Sequence, residues 1–97
     1  MADIQAAPAA GAKTPADELD YAIDWSGVLE AGETIATVAW TVPAPLIAGP
    51  TSQAGTRTVQ WIAGGVAGRS YAVVCRITTD RGRTVERSFV LPVVARL

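Results

Sequence analysis

The sequence predicts an all-β protein, a single antiparallel β-sandwich behind a flexible N-terminal arm. Two observations carry that prediction: apolar and polar residues alternate with a period of two over short runs, and glycine, proline, aspartate and serine separate those runs. No stretch shows a convincing helical period. Ninety-seven residues suffice for one modest core and do not support a second domain.

Residues 1–18 are rich in alanine and proline, with Pro8 and Pro15 and no periodic apolar pattern, and read as a flexible arm. The sandwich is expected to occupy residues 19–97. In its first strand Leu19, Tyr21, Ile23 and Trp25 point one way and Asp20, Ala22 and Asp24 the other. Residues 26–33 then form a loop in which Gly32 permits a positive φ and Val28 and Leu29 plug one end of the core. A second strand places Ala36, Val38, Trp40 and Val42 on one face and stops at Pro43 and Pro45, because proline supplies no ladder donor.

Residues 46–55 read as a connection to which Leu46 and Ile47 add a short edge segment. The third clear strand, Thr56 to Ile62, has Val59 and Trp61 inward and Thr58 and Gln60 outward. Gly64, Gly65 and Gly68 belong to a turn; no GK[ST] ending, preceding parallel strand or following helix makes them a phosphate cradle.

The ribbon from Tyr71 to Val93 is the most informative stretch. A three-residue loop, Asp80, Arg81 and Gly82, sets Gly82 where a G1-bulge hairpin needs a left-handed residue. Tyr71 then faces Leu91, Val73 faces Phe89 and Ile77 faces Val85 on one side, while Arg76 faces Glu86 and Thr78 faces Thr84 on the other. A shift of one residue opposes Arg76 with Arg87, so charge and hydrophobicity select the same register. Arg87 lands beside Cys75 on the apolar face. Cys75 reads as a small core hydrophobe, and Tyr71, three residues after Gly68, matches the tyrosine corner of immunoglobulin-type sandwiches. That type is the expected one, with a small barrel as the structural alternative. The three tryptophans read as core, Trp40 and Trp61 inward and Trp25 at a strand end.

Composition excludes much chemistry. With no histidine, one cysteine and Lys13 as the only lysine, imidazole catalysis, Cys/His metal sites and intramolecular disulfides are ruled out. Asp20 and Asp24 lie about 13 Å apart along a strand, too far for a glycosidase pair, and nothing activates a serine or threonine. The chain therefore reads as no enzyme and as needing no cofactor. The N-terminus has neither a basic nor an apolar region of a signal peptide, and no run is long enough for a membrane helix. Residues 1–48 hold seven acids against Lys13, and residues 49–97 hold seven arginines against two acids. That split suits oppositely charged strands lying side by side, or surfaces that meet between copies, and differs from the uniform basic balance of a nucleic-acid binder.

The run LDYAIDW, then LEAGETI, TVQWIAGGVAG and SYAVVCRITTDRGRTVERSFVLPV, resembles the phage fiber-tail adaptor proteins of tailed phages and prophages. The resemblance covers roughly residues 19–94. It implies a virion structural protein, synthesised in the host bacterial cytoplasm, that links the tail or its nozzle to receptor-binding fibers. The implied partners are tail, nozzle and portal-proximal proteins and the tail fiber, with several copies in a ring and no nucleic acid, membrane or small-molecule substrate. The family has no catalytic residue to transfer. Candidate interaction residues are Asp20, Asp24, Trp25, Arg81, Arg83 and Arg87. A capsid decoration protein on the phage head shares the same composition and fold, and a carbohydrate-binding module would require an exposed aromatic platform. The arm is expected to order on a neighbouring subunit.

Overall fold

In the computed structural model, described over residues 2–4 and 11–97, the chain forms seven strands and no helix. They are β1 (Ala2–Ile4), β2 (Leu19–Asp24), β3 (Ile35–Thr41), β4 (Leu46–Ala54), β5 (Arg57–Gly64), β6 (Arg69–Thr79) and β7 (Thr84–Val93). One sheet has the order β1-β2-β5-β4 and the other β3-β6-β7. Lettered A to G along the chain, the sheets read A-B-E-D and C-F-G, the strand order of constant-type immunoglobulin domains. All ladders are antiparallel except β1 with β2, which is parallel.

The β6–β7 ribbon has the register that its sequence dictates, with Tyr71 opposite Leu91, Val73 opposite Phe89, Arg76 opposite Glu86 and Ile77 opposite Val85. Gly82 closes the turn at φ +77°, donating to the carbonyl of Thr79 at 3.0 Å. Tyr71, Val73, Cys75, Ile77, Phe89, Leu91 and Val93 give this ribbon's contribution to the core. Tyr21, Ile23, Trp25, Leu46 and Ile62 meet them from the other sheet, and Tyr21 stacks on Phe89 with ring centroids 5.5 Å apart. Val28 and Leu29 plug the end of the core as expected. The Tyr71 hydroxyl accepts a hydrogen bond from the Val66 amide at 3.0 Å, fixing the β5–β6 turn to the strand that follows it.

Three expectations are corrected. Residues 46–54 are a full strand, not a connection; Pro50 is accommodated because β4 lies at a sheet edge and its ladder is irregular between Ala48 and Thr51. In β5 the inward and outward faces are reversed: Thr58, Gln60 and Ile62 are buried, while Trp61 is exposed and Val59 half-buried. The pairing forces this. Tyr21 and Ile23 face inward and stand opposite Gln60 and Thr58, and directly opposed residues share a face of a sheet. In β3 a register shift between Ile35 and Thr37 lets Ile35 be buried while Ala36 is exposed and Val38 and Trp40 pack on the core.

The expected arm, residues 1–18, lies partly outside the described residues. Of the rest, residues 2–4 extend the first sheet, and Lys13 forms a parallel bridge with Val93, exchanging backbone hydrogen bonds with Pro92 and Val94 at 3.1 and 2.8 Å. The Lys13 side chain is fully buried, and its ammonium donates to the carbonyls of Thr14, at 2.7 Å, and Gly64. Burial pulls its pKa below the usual lysine value, against a smaller opposing effect of Asp17.

Candidate interaction surfaces

One end of the sandwich is organised by Glu33, which the sequence reading passed over as a loop residue. The β2–β3 loop turns through bonds from the Val28 and Leu29 amides to the Trp25 carbonyl at 3.0 and 3.1 Å, and Gly32 completes it at φ +78°. Glu33 and Glu30 bond reciprocally, the Glu33 amide to the Glu30 carbonyl and the Glu30 amide to the Glu33 carboxylate. Opposite this loop, Arg83 on the β6–β7 hairpin donates through Nε to Glu33 Oε2 at 2.9 Å, and through Nη2 to Glu33 Oε1 and, at 2.7 Å, to the Val28 carbonyl. The Thr79 hydroxyl adds a bond at 2.7 Å. The Arg83 guanidinium foremost, then the Glu30 amide and Thr79, hold the Glu33 carboxyl well below the usual carboxylate range. Thr34 and Asp80 tie the same two segments by a second reciprocal pair at 3.0 Å.

The six candidate residues fall into different settings. Arg83 is committed to Glu33, and Arg81 donates to the Ala31 carbonyl at 2.8 Å beside a loose, solvated pair with Glu30 at 3.7 Å, a geometry that adds little stability. Asp24 accepts from the Ser26 amide at 2.9 Å and the Thr56 hydroxyl at 3.1 Å. Those bonds, the backbone bond first, lower its pKa. Asp20 stands opposite Trp61 on the outer face of the first sheet, and Asp24 opposite Arg57. Arg87 is opposite Cys75, as the hairpin register requires, and because β7 is an edge strand its guanidinium turns outward to the Glu86 carbonyl at 2.8 Å. Trp25 is not a surface residue. It is 1% exposed, and its indole N–H donates to the Thr58 hydroxyl at 3.0 Å.

The charge division of the sequence is thus spent in part within the chain, since Glu33 and Glu30 from the acidic half meet Arg83 and Arg81 from the basic half. Arg76 and Glu86 pair at 3.0 Å across the outer face of the hairpin. Cys75 is buried against the Thr58 hydroxyl at 3.7 Å, and burial pushes its thiol up to about 11, so no ready thiolate exists. Among the described residues no group of three His, Cys, Asp or Glu is placed to hold a metal ion. Among the described residues, the large apolar side chains left exposed are Leu19, Ile47, Trp61, Val66, Val90 and Leu97. Trp61 was expected inside, and its outward position follows from the parity of β5 alone.

The fold is a β-sandwich whose polar clusters hold its loops together and whose one cysteine is buried. Residues 13–92 match the family described as podophage GP4 fiber-tail adaptor protein gp77, and the chain belongs to that family. The match begins at Lys13, the residue that closes the edge of the fold, and ends within β7. No curated protein matches the chain. Membership gives a structural adaptor role in the phage tail, in contact with other virion tail proteins.

Proposed function

We propose that this protein is a non-enzymatic adaptor that joins the tail or its nozzle to receptor-binding fibers, in several copies arranged as a ring. The observation that carries the reading is the family match over residues 13–92, from the Lys13 bridge to β7. The structure suits it physically. The β2–β3 loop and the β6–β7 hairpin are locked together by Glu33, Arg83, Thr34 and Asp80, so one end of the domain is a stiff platform. A platform held by internal bonds loses little conformational freedom on docking, which favours stable attachment of a small domain. Copies packed head to tail give a heterologous interface that closes by rotation. The test is cryo-electron microscopy of intact particles: sandwich-shaped density in a ring at the tail, touching fiber bases, is expected. Density on the capsid lattice overturns the reading and makes the chain a head decoration protein.

A further inference from the structure

The two sides of the sandwich are finished differently. On the β1/β7 side, residues 2–4 extend the first sheet beside β2, and Lys13 bridges Val93 at the edge of β7. On the opposite side, β3 and β4 end their sheets with no further strand among the described residues. Between them runs a groove of about 440 Å³, lined by Ala36, Val38 and Trp40 from one sheet and Thr51, Gln53 and Gln60 from the other. The groove is spanned by a long bond from Gln53 Nε2 to the Ile35 carbonyl at 3.4 Å.

Three independent features of this side point the same way. From Thr34 to Thr56 the sequence has no charged residue, so both edge strands fall in one uncharged stretch while every charge lies elsewhere. Free edges in soluble proteins are ordinarily blunted by lysine, proline or a bulge. β4 has Pro50 and an irregular ladder; β3 has a register shift at its start, between Ile35 and Thr37, but from Thr37 to Thr41 it keeps regular register with β6 and contains neither proline nor charge. Finally, the indole N–H of Trp40, in the groove wall, is buried and has no acceptor among the described residues. A buried donor without a partner is destabilising, and an acceptor brought by an incoming segment relieves that.

We infer that the free edge of β3 receives an extended, uncharged strand from a different tail protein, which adds to the β3-β6-β7 sheet and places a carbonyl, hydroxyl or carboxamide side chain in the groove against Trp40. Main-chain bonds along Thr37–Thr41 give the affinity, and the neutral walls of hydroxyls and carboxamides favour an uncharged segment, since a charged one would be desolvated there without a counter-charge. The inference rests on the adaptor reading and specifies its partner-binding edge.

The test uses assembled particles. A photo-crosslinking amino acid is placed at Ala39 on the β3 edge and, as a control, at Glu86 on the outer face of the hairpin, both exposed. Crosslinks from Ala39 into an uncharged segment of a second tail protein, absent from Glu86, are the expected result. Crosslinks from Ala39 only to other copies of this chain, or none at all, overturn the inference. In parallel, the double substitution Thr37→Lys and Thr41→Lys adds edge lysines at exposed positions. It is expected to lower the number of copies per particle at least tenfold with thermal unfolding unchanged. Loading within twofold of the natural protein overturns the β3 edge while the adaptor reading stands, provided the natural chain is found at the tail; its absence from tails overturns both.

Discussion

Replacing Thr58 by valine tests the burial of polar groups in β5 directly. Thr58 is fully buried, accepts the indole N–H of Trp25 at 3.0 Å and contacts the Cys75 sulfur at 3.7 Å. Valine has nearly the same shape, so the substitution leaves the core filled and strips the acceptor from a buried donor. Such an orphaned group costs about 1–3 kcal/mol. For a domain of this size a loss of about 2 kcal/mol lowers Tm by roughly 8–16 °C. Trp25→Phe removes the donor and some apolar volume, at a cost of about 1–3 kcal/mol from lost packing. In the double substitution nothing is left unsatisfied, so the combined loss should fall short of the sum by about 1–2 kcal/mol, within the usual range for residues in direct contact. The assay is urea unfolding followed by far-ultraviolet circular dichroism, because Trp25 itself is altered and its fluorescence is no neutral probe. Thr58→Ser, which keeps the hydroxyl, should retain the coupling. Additivity of Trp25→Phe and Thr58→Val to within about 0.3 kcal/mol, as for distant sites, refutes the hydrogen bond as what makes this inward threonine tolerable in the core.

Gly65 has φ +97°, and a Cβ there would lie 2.8 Å from Val93 Cγ2 and 3.0 Å from Leu46 Cδ2. Gly65→Ala should therefore cost about 2–5 kcal/mol from left-handed strain plus overpacking, whereas Gly82→Ala, with φ +77° and open space, should cost only the strain of about 1–2 kcal/mol; equal losses in chemical denaturation would contradict the packing account. Glu33 has a folded-state pKa depressed below its ordinary 4.5, so the unfolded chain binds more protons and stability is fully present above that value. It should then fall as acidification proceeds through the unfolded and on toward the folded pKa. Glu33→Gln should flatten this acid limb, and an unchanged acid limb in pH-dependent melting would count against the Arg83 pairing. Cys75, buried with its pKa raised to about 11, should resist thiol reagents at pH 8 until urea unfolds the chain; rapid labelling of the native protein would show that the core opens at Cys75.

The ribbon of β6 and β7 was legible in the sequence because both of its faces carry information. Apolar pairs on one face and the Arg76–Glu86 and Thr78–Thr84 pairs on the other reject every neighbouring register. β5 was misread for the opposite reason. In Thr-Val-Gln-Trp, hydrophobicity alone turns Val59 and Trp61 inward, and the bonds that make Thr58 and Gln60 tolerable inside come from Trp25, Gly49 and the Trp61 backbone, partners fixed only by tertiary pairing. β2 contained the missing constraint: with Tyr21 and Ile23 inside, whichever β5 residues stand opposite them are inside as well. The strand β4 was hidden by Pro50 and Gly49, which signal a loop in a central strand and are tolerated at an edge. Arg81, Arg83 and Arg87 lie on the hairpin whose register the sequence dictates, but the acid that anchors Arg83 was missed because Glu33 lies fifty residues away in sequence and only the closed sandwich brings them together.

The uncharged run from Thr34 to Thr56 shows what composition alone hides when it is read as a total. The whole chain has net charge −1, yet none of its charged residues falls on β3 or β4, two of the strands that lie at sheet edges. A domain selected only for solubility and folding has every reason to place a lysine on β3, since the outward positions Thr37, Ala39 and Thr41 are exposed and a charge there disturbs no core contact. Keeping such an edge neutral exposes the free chain to pairing with its own copies, a cost that β7 limits by its Glu86, Arg87 and Pro92 and by the Lys13 bridge at Val93. The asymmetry follows directly if one side is finished by the chain itself and the other by a partner during assembly. It also predicts that the isolated protein self-associates through β3, so Thr37→Lys with Thr41→Lys should raise its soluble monomer fraction in sedimentation at high concentration; a natural protein that is already wholly monomeric there would remove this argument for an unprotected edge.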